Sequence, residues 1–200
     1  MGLGPRASAG ARPTARERIL DTAYDLFSRH GTRAVGVDRI IAESGVAKMT
    51  LYRNFPSKDD LILAFLERRD EVWTRAWLQA EANRRGTTPA ERLLAIFDTF
   101  EGWFARRDFE GCSFIKVMLE LGDTDNPVRR ATVRHLAAIR RFVRDLAEQA
   151  GIEDAEDFAR QWHMLMKGCI VTAVEGDLEA AARARQLGTL LLAHHGVTAA

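Results

Sequence analysis

The stretch from Val37 to Lys58 constrains the fold more than any other part of this 200-residue chain. Val37, Ile40 and Ile41 place apolar side chains on one face of a helix, because their spacing follows the helical period. Gly45 then supplies the backbone freedom that a sharp turn requires. The stretch therefore predicts a helix, a tight turn and a second helix, which together form a corner around a small core.

The second helix of this corner has few apolar residues to hold it. Leu51 and Phe55, four residues apart, form its one apolar stripe. The other positions carry groups that can contact phosphates or base edges: Lys48, Thr50, Tyr52, Arg53 and Asn54. This composition is typical of a recognition helix that enters the major groove of DNA.

Residues 45–61 resemble the DNA-binding core of the tetracycline-repressor (TetR/AcrR-type) family, whose usual pattern is Gly-Val-x-x-x-x-Leu-Tyr-x-x-Phe-x-x-Lys-x-x-Leu. Seven positions match it in register: Gly45, Val46, Leu51, Tyr52, Phe55, Lys58 and Leu61. The resemblance covers roughly the first third of the chain. Beyond it, the chain is similar to the family only in size and helical layout.

The resemblance implies a role for each DNA-facing residue. Groove-facing positions are Lys48, Met49, Thr50 and Arg53, and phosphate-facing positions are Tyr52, Asn54 and Lys58. Arg53 is the candidate for reading a guanine. Gly36 departs from the family, which usually has a hydroxyl residue there that caps the second helix and touches phosphate. We therefore expect no side-chain contact with phosphate at this position, although the backbone N–H of Gly36 can still serve. The alternative is a helical corner used only for packing.

Charge is distributed unevenly along the chain. The net charge is only +1, but residues 1–58 carry +5 and the remainder carries −4. A basic N-terminal segment on a mildly acidic body is expected for a protein with a local phosphate-binding surface.

Other functional classes find no support in the sequence. Cys112 and Cys169 lie too far apart for a metal-binding spacing or a disulfide framework, which is typical of a reducing cytosol. No apolar run approaches the roughly 18 residues of a membrane-spanning helix, and no secretion signal opens the chain. Catalytic triads, zinc-protease patterns and phosphate loops are missing. We therefore expect a cytoplasmic protein that is not an enzyme and binds no cofactor or metal ion.

The helix-start signals and the missing strand patterns predict an all-α chain of about nine helices. Four residues are expected to cap helix starts: Thr14, Ser57, Thr88 and Asp154. We predict a three-helix helix-turn-helix domain at residues 13–58 and a helical ligand-binding and dimerisation domain at residues 59–200. We expect residues 1–12 to be a flexible basic tail, in which Arg6 and Arg12 either follow a minor groove or are simply solvated.

Dimerisation is expected because one recognition helix contacts few base pairs, and two half-sites are the usual source of specificity. The resemblance implies a homodimer formed through the last two helices, about residues 154–194, as a four-helix bundle. Small residues there would allow close approach: Gly168, Ala173, Ala181 and Ala184. The alternative is that both helices pack only within their own protomer.

The middle of the chain is rich in aromatic residues and methionine. For this set, the resemblance implies a pocket for a small apolar or aromatic ligand, lined by Phe100, Trp103, Phe104, Cys112, Phe114, Met118, His135, Trp162, His163 and Met166. Core packing also explains each of these residues taken singly. His163 is either a ligand contact or a satisfied core histidine, and Cys112 is either a reactive thiol at a helix start or a buried packing group.

These expectations combine into one function. The chain is expected to be a ligand-responsive repressor that binds double-stranded DNA at a palindromic operator and is released by its effector. Two alternatives remain open: a DNA-binding structural or division-control protein on the same scaffold without an inducer, and a helical enzyme whose corner only mimics the motif.

Overall fold

The computed structural model describes residues 13–198, and every regular element within them is helical. The expected all-α fold is therefore confirmed. When residues 58–85 are counted as one unbroken helix, the described residues form nine helices, as predicted. The bounds are α1 Ala15–His30, α2 Val37–Ser44, α3 Lys48–Asn54, α4 Lys58–Arg69 with its continuation to Arg85, α5 Pro89–Phe104, α6 Ser113–Glu120, α7 Pro127–Gln149, α8 Ala155–Val174 and α9 Ala180–His194. The predicted flexible tail at residues 1–12, with Arg6 and Arg12, lies outside the described residues.

The predicted caps start the helices. Thr14, Ser57 and Thr88 each accept a hydrogen bond from the backbone N–H of the acidic residue three positions later, whose carboxylate returns to the backbone N–H of the cap. Asp154 accepts a hydrogen bond from the backbone N–H of Asp157. Each cap satisfies a donor that the first turn would otherwise leave unpaired.

Helix α4 changes its winding without a break. Its first segment is α-helical, the segment Asp70–Gln79 is a π-helix, and Ala80–Arg85 is α-helical again. In a π-helix each hydrogen bond reaches one residue further than in an α-helix. No glycine or proline marks this segment in the sequence, so the length of α4 could be predicted but its winding could not.

The helices pack into two compact units. The described part of the first unit comprises residues 13–72 and Cys112–His135, and therefore contains α1 to α3, the start of α4, α6 and the start of α7. In its core, Phe27 and Phe65 meet edge to face with ring centroids 5.5 Å apart. Ile19 and Ile40 are also fully buried in this unit.

The second unit comprises Trp73–Gly111 and residues 136–198 of the described chain. Its core is aromatic, with Phe97 and Trp162 fully buried. Gly188 of α9 permits this packing, since a Cβ there would lie 2.8 Å from the indole of Trp162 and 3.1 Å from the ring of Phe97.

The predicted division into residues 13–58 and 59–200 stays a prediction. In the structure, the first unit also includes the start of α4, α6 and the start of α7, all from the predicted second domain. No helix within residues 13–198 is both long and apolar enough to cross a membrane.

Candidate nucleic-acid interface

Helix α3 has seven residues, and only one of its faces packs against the rest of the protein. Leu51 and Phe55 are only 1% and 2% exposed, and they form the predicted apolar stripe. Gly45, between α2 and α3, has a φ of +65°, a left-handed conformation that glycine adopts without steric cost. Helices α2 and α3 thus form the predicted helix-turn-helix corner.

The opposite face of α3 is open to solvent. Met49 is 71% exposed and Tyr52 is 38% exposed; Lys48 and Arg53 are also exposed, and Thr50 is half-buried. Among residues 13–198, no acidic side chain pairs with Lys48 or Arg53. This face therefore presents cations for phosphates and guanine, together with an apolar side chain suited to a thymine methyl group.

The end of α3 carries two of the predicted phosphate contacts. The Nδ2 atom of Asn54 donates a hydrogen bond to the carbonyl oxygen of Thr50 at 2.8 Å, so it helps to close the last turn of α3. Lys58 is the first residue of α4 and is half-buried, at a helix start whose N–H groups favour an anion. The phosphate roles of Asn54 and Lys58 stay predictions.

Arg16 is a neighbour of α3 that sequence reasoning missed. Its guanidinium carbon lies 4.9 Å from the centroid of the Phe55 ring, within cation–π range. The capping box at Thr14 predicted that Arg16 lies in the first turn of α1. No local pattern indicates that its side chain reaches the end of α3, because that contact joins residues far apart in the chain.

Helix α2 starts without a side-chain cap. Gly36 precedes it with a φ of −80° and makes no side-chain hydrogen bond, as its departure from the family pattern predicted. A Cβ atom built at Gly36 would meet nothing within 4 Å. On the outer surface of α2, Arg39 and Glu43 form an exposed ion pair at 2.8 Å.

Six of the predicted ligand-binding residues lie in the second unit and are buried: Phe100, Trp103, Phe104, Trp162, His163 and Met166. The rings of Phe100, Trp103 and Phe104 have centroids 5.7 to 5.8 Å apart. Phe97, which was not among the predicted residues, connects them to Trp162: its centroid lies 6.4 Å from that of Phe100 and 5.2 Å from that of Trp162. The structure thus brings four of the six together in one aromatic cluster.

Two polar groups lie within this interior. Burial, together with the positive charges of Lys167 and Arg140, lowers the pKa of His163 to about 3, so its imidazole is neutral at physiological pH. The indole Nε1 of Trp162 is buried without a hydrogen-bond partner among the described residues. Because an unpaired buried donor is unfavourable, an acceptor atom of a ligand would stabilise it.

The other four predicted ligand-binding residues lie in the first unit: Cys112, Phe114, Met118 and His135. Phe114 stacks on the imidazole of His135 with ring centroids 5.2 Å apart. His135 also lies 3.7 Å from the carboxylates of Glu67 and Asp70. Cys112 is the N-cap residue of α6 and is 8% exposed. Such burial suits a packing group, and the reactive thiol stays a prediction.

An apolar surface, here termed the α8–α9 surface, covers α8, α9 and the turn between them. Its large exposed side chains are Met164, Val171, Val174, Leu178, Leu187 and Leu190. A depression of about 430 Å³ in this surface is lined by Gln161 and otherwise by methionine and leucine side chains. Of the small residues expected to allow close approach, Ala173, Ala181 and Ala184 are buried within their own protomer. Met164, Leu187 and Leu190 line this depression together, and an exposed apolar patch of this kind is typical of an interaction site.

The described residues contain no group of three or more histidine, cysteine, aspartate or glutamate side chains that could hold a metal ion. The candidate sites therefore consist of the exposed face of α3, the buried aromatic clusters and the α8–α9 surface.

Two models of known protein families match this chain, one in its N-terminal part and one in its C-terminal part. Residues 19–65 match the family model described as bacterial regulatory proteins, tetR family. Residues 89–188 match the model described as tetracyclin repressor-like, C-terminal domain.

Individual relatives agree with these matches. The crystal structure of a TetR-family transcriptional regulator from Streptomyces coelicolor is 32% identical in sequence, with 90% of this chain and 95% of that chain covered and a TM-score of 0.82. The transcriptional activator FasR of Mycolicibacterium smegmatis is 34% identical over 57% of this chain and 51% of its own length. The transcriptional repressor KstR of Rhodococcus jostii is 37% identical over 44% of this chain and 40% of its own length. The chain thus spans about half the length of these two curated relatives.

Proposed function

The chain belongs to the TetR family of bacterial transcription regulators, and we propose that it represses transcription by binding a palindromic operator as a homodimer. The observation that carries the proposal is the exposed face of α3, where Lys48 and Arg53 flank Met49 while Leu51 is buried beneath them. Such a protein acts where the chromosome is, so we place it in the cytoplasm. We propose no catalytic activity for it.

Each copy of α3 would enter a major groove. Base edges would be contacted by Lys48, Met49, Thr50 and Arg53, and phosphates by Tyr52, Asn54 and Lys58. The guanidinium of Arg53 can donate two hydrogen bonds to O6 and N7 of one guanine. The lysines would add charge attraction that is independent of sequence and weakens with salt.

The α8–α9 surface would join the two copies. Two helices from each copy form a four-helix bundle, and two-fold symmetry makes the same residues of both copies meet. Removal of this apolar surface from water would be the main favourable contribution to dimerisation, since the hydrophobic effect scales roughly with the apolar area buried. The two recognition helices would then read half-sites about 34–36 Å apart.

A small apolar or aromatic ligand would release the DNA. The aromatic side chains of the second unit supply apolar contacts, Trp162 Nε1 supplies a donor, and neutral His163 can both donate and accept a hydrogen bond. A ligand that binds the DNA-released conformer more tightly shifts the population towards that conformer.

Of the two possible modes of regulation, repression and activation, repression requires fewer contacts. The matched relatives include a named activator and a named repressor. Occupying an operator is sufficient for repression, whereas activation also needs a productive contact with the transcription machinery.

A second candidate function is a DNA-binding protein without an inducer. The observation that favours it is the close packing of Phe100, Trp103 and Phe104, which are at most 4% exposed and contact one another. A core already filled by its own side chains needs no ligand.

Selection of binding sites from random duplex DNA at two salt concentrations tests the proposal. The expected result is enrichment of a palindrome whose affinity falls as salt rises. Weak salt-sensitive binding without enrichment would contradict the proposal. A panel of small aromatic compounds is then added to the complex with the selected DNA. Release by any of them favours the inducible repressor, and unchanged binding favours the second candidate.

A further inference from the structure

Two side chains of α6 hold the end of α1, and the DNA interface described above uses neither of them. Lys116 and Glu120 lie four residues apart, on the same face of α6. The Nζ atom of Lys116 donates a hydrogen bond to the carbonyl oxygen of Ser28 at 3.1 Å. A cation is favoured there, because the carbonyl groups at the end of a helix carry partial negative charge.

Glu120 binds the turn that follows α1. Its Oε2 atom accepts hydrogen bonds from the backbone N–H of Thr32 at 3.0 Å, from the Thr32 hydroxyl at 2.5 Å and from the backbone N–H of Arg33 at 3.1 Å. Thr32 is only 3% exposed, so its donors have little access to water. Hydrogen bonds to a carboxylate are stronger than those to a neutral acceptor.

Gly31 makes room for this carboxylate. Its φ is +78°, and a Cβ atom at this position would lie 2.2 Å from Oε1 of Glu120. The glycine is therefore required both by the backbone conformation and by the approach of Glu120. Lys116 and Glu120, here termed the α6 clamp, thus hold the last turn of α1 and the amides that come directly after it.

The held turn leads straight into the helix-turn-helix corner. Helix α2 begins at Val37, four residues after Arg33, and Gly36 gives it no side-chain cap. The start of α2 therefore depends on the turn before it. We infer that Glu120, with Lys116, is a positioning residue for operator binding, because it fixes the turn from which α2 and then α3 extend. This inference rests on the proposed function.

The test uses full-length protein and the operator found by selection. Glu120→Gln removes the charge that the three donors share, and Glu153→Gln makes the same charge change at an exposed residue of the second unit. The fraction of each protein that is competent to bind DNA, here termed the active fraction, is first measured by titration with excess operator. Affinity is then measured for the operator and for a version with one extra central base pair, which moves the half-sites apart by about 3.4 Å.

Glu120→Gln is expected to weaken operator binding about tenfold, the size expected from weakened hydrogen bonds to a charged group. It should also reduce the difference in affinity between the selected operator and the version with one extra base pair. A loosened turn lets α3 adopt more orientations, so the protein would depend less on the exact spacing of the half-sites. A purely structural role would lower the active fraction and leave that difference unchanged. Glu153→Gln should match the wild type in both measurements.

A second variant tests whether Glu120 acts through the turn. Thr32→Val keeps the shape of the side chain and removes its hydroxyl donor. If both residues act through one contact, the double variant loses less affinity than the two single losses combined. Additive losses would overturn the inference, as would wild-type affinity and operator discrimination for Glu120→Gln. Failure of the selection to enrich any operator is a separate result: it contradicts the proposed function itself, and the positioning role with it.

Discussion

The exposed face of α3 and the α8–α9 surface are both open to solvent, but they suit different partners. Helix α3 presents Lys48 and Arg53 around one exposed methionine, whereas the α8–α9 surface presents large aliphatic groups such as Met164 and Leu190. Binding of phosphates by cations weakens as salt rises, while burial of apolar surface is non-directional and scales with area. The proposed DNA contacts and the proposed self-association therefore depend on separate chemistry and can be disrupted separately.

The largest effect is expected from a charge on the α8–α9 surface. Leu190 is 67% exposed, so Leu190→Asp should leave the protomer folded. In a dimer the carboxylate would be buried without a partner, which costs roughly 3–5 kcal/mol. Analytical ultracentrifugation should show monomers, and operator affinity should fall because two half-sites are no longer read together.

Val133→Asp is the matched control for this variant. Val133 is also an exposed aliphatic residue, 48% exposed, but it lies on α7 and outside the α8–α9 surface. The Val133→Asp protein should remain dimeric and bind the operator with wild-type affinity. A dimeric Leu190→Asp protein would place the interface between copies elsewhere.

The next largest effect is a pH dependence of stability, and it arises on the buried face of α8. His163 is 3% exposed and its neighbour Met164 is 70% exposed. Because burial lowers the pKa of His163 to about 3, the unfolded chain binds a proton below pH 6.5 while the folded chain stays neutral until about pH 3. The free energy of unfolding should therefore fall with acidification across this window, by about 2 kcal/mol at pH 5 relative to neutral pH.

Urea unfolding at a series of pH values measures this effect. His163→Leu should flatten the dependence on pH, whatever it does to stability at neutral pH. His194→Gln changes an exposed histidine of α9 and should leave the dependence intact. Equal pH dependence in wild type and His163→Leu would show that His163 is not the group responsible.

The two surfaces also differ in how far the sequence predicted them. The helix-turn-helix corner and the caps at Thr14 and Ser57 depend on residues a few positions apart, so local spacing was sufficient. For α8 and α9, helical periodicity could not tell which apolar face packs inside the protomer. Small residues such as Ala173 and Ala184 were expected to face a partner, and the structure buries them in their own chain.

Contacts between distant residues were not predictable for the same reason. Arg16 reaches Phe55, and Glu120 reaches Thr32 across 88 positions of the chain. Phe97 packs in the aromatic cluster where Gly188 of α9 leaves room for its ring. No periodicity or motif marks such contacts, since they depend on how the helices pack.

On α3, Arg53→Ala tests base reading. Loss of a bidentate contact with guanine should weaken operator binding by about 1–3 kcal/mol and relax the preference at one base pair. Competition binding with operators altered at single positions measures both effects. Arg141→Ala, which removes an exposed arginine of α7, is the control for the loss of charge. Unchanged affinity and base preference in Arg53→Ala would contradict the assigned role.

Lys58→Ala should give a smaller effect of a different kind. A contact with phosphate carries no sequence information, so affinity should fall equally for operator and unrelated DNA. The slope of log affinity against log salt should become less steep by about 1. A loss confined to the operator would instead mean that Lys58 contributes to base recognition.

The smallest effect is expected at Gly36, where α2 begins. Its φ of −80° suits any residue, and a Cβ atom there would meet nothing within 4 Å. Gly36→Ser would supply the missing cap and stabilise the protein by a few tenths of a kcal/mol, about 0.3, measured by urea unfolding. The same change at Gly45, with a φ of +65°, should instead destabilise by about 1 kcal/mol.

The Gly36→Ser variant can also be combined with Glu120→Gln, to test how the α6 clamp acts on the DNA-binding face. A serine cap and the Glu120 carboxylate would both fix the start of α2, one from within the helix and one through the turn before it. Gly36→Ser should therefore restore part of the operator affinity that Glu120→Gln loses, and it should raise affinity more in that variant than in the wild type. If affinity in the double variant is no higher than in Glu120→Gln alone, the start of α2 is not what the clamp controls, and its influence on α3 must pass through α1 instead.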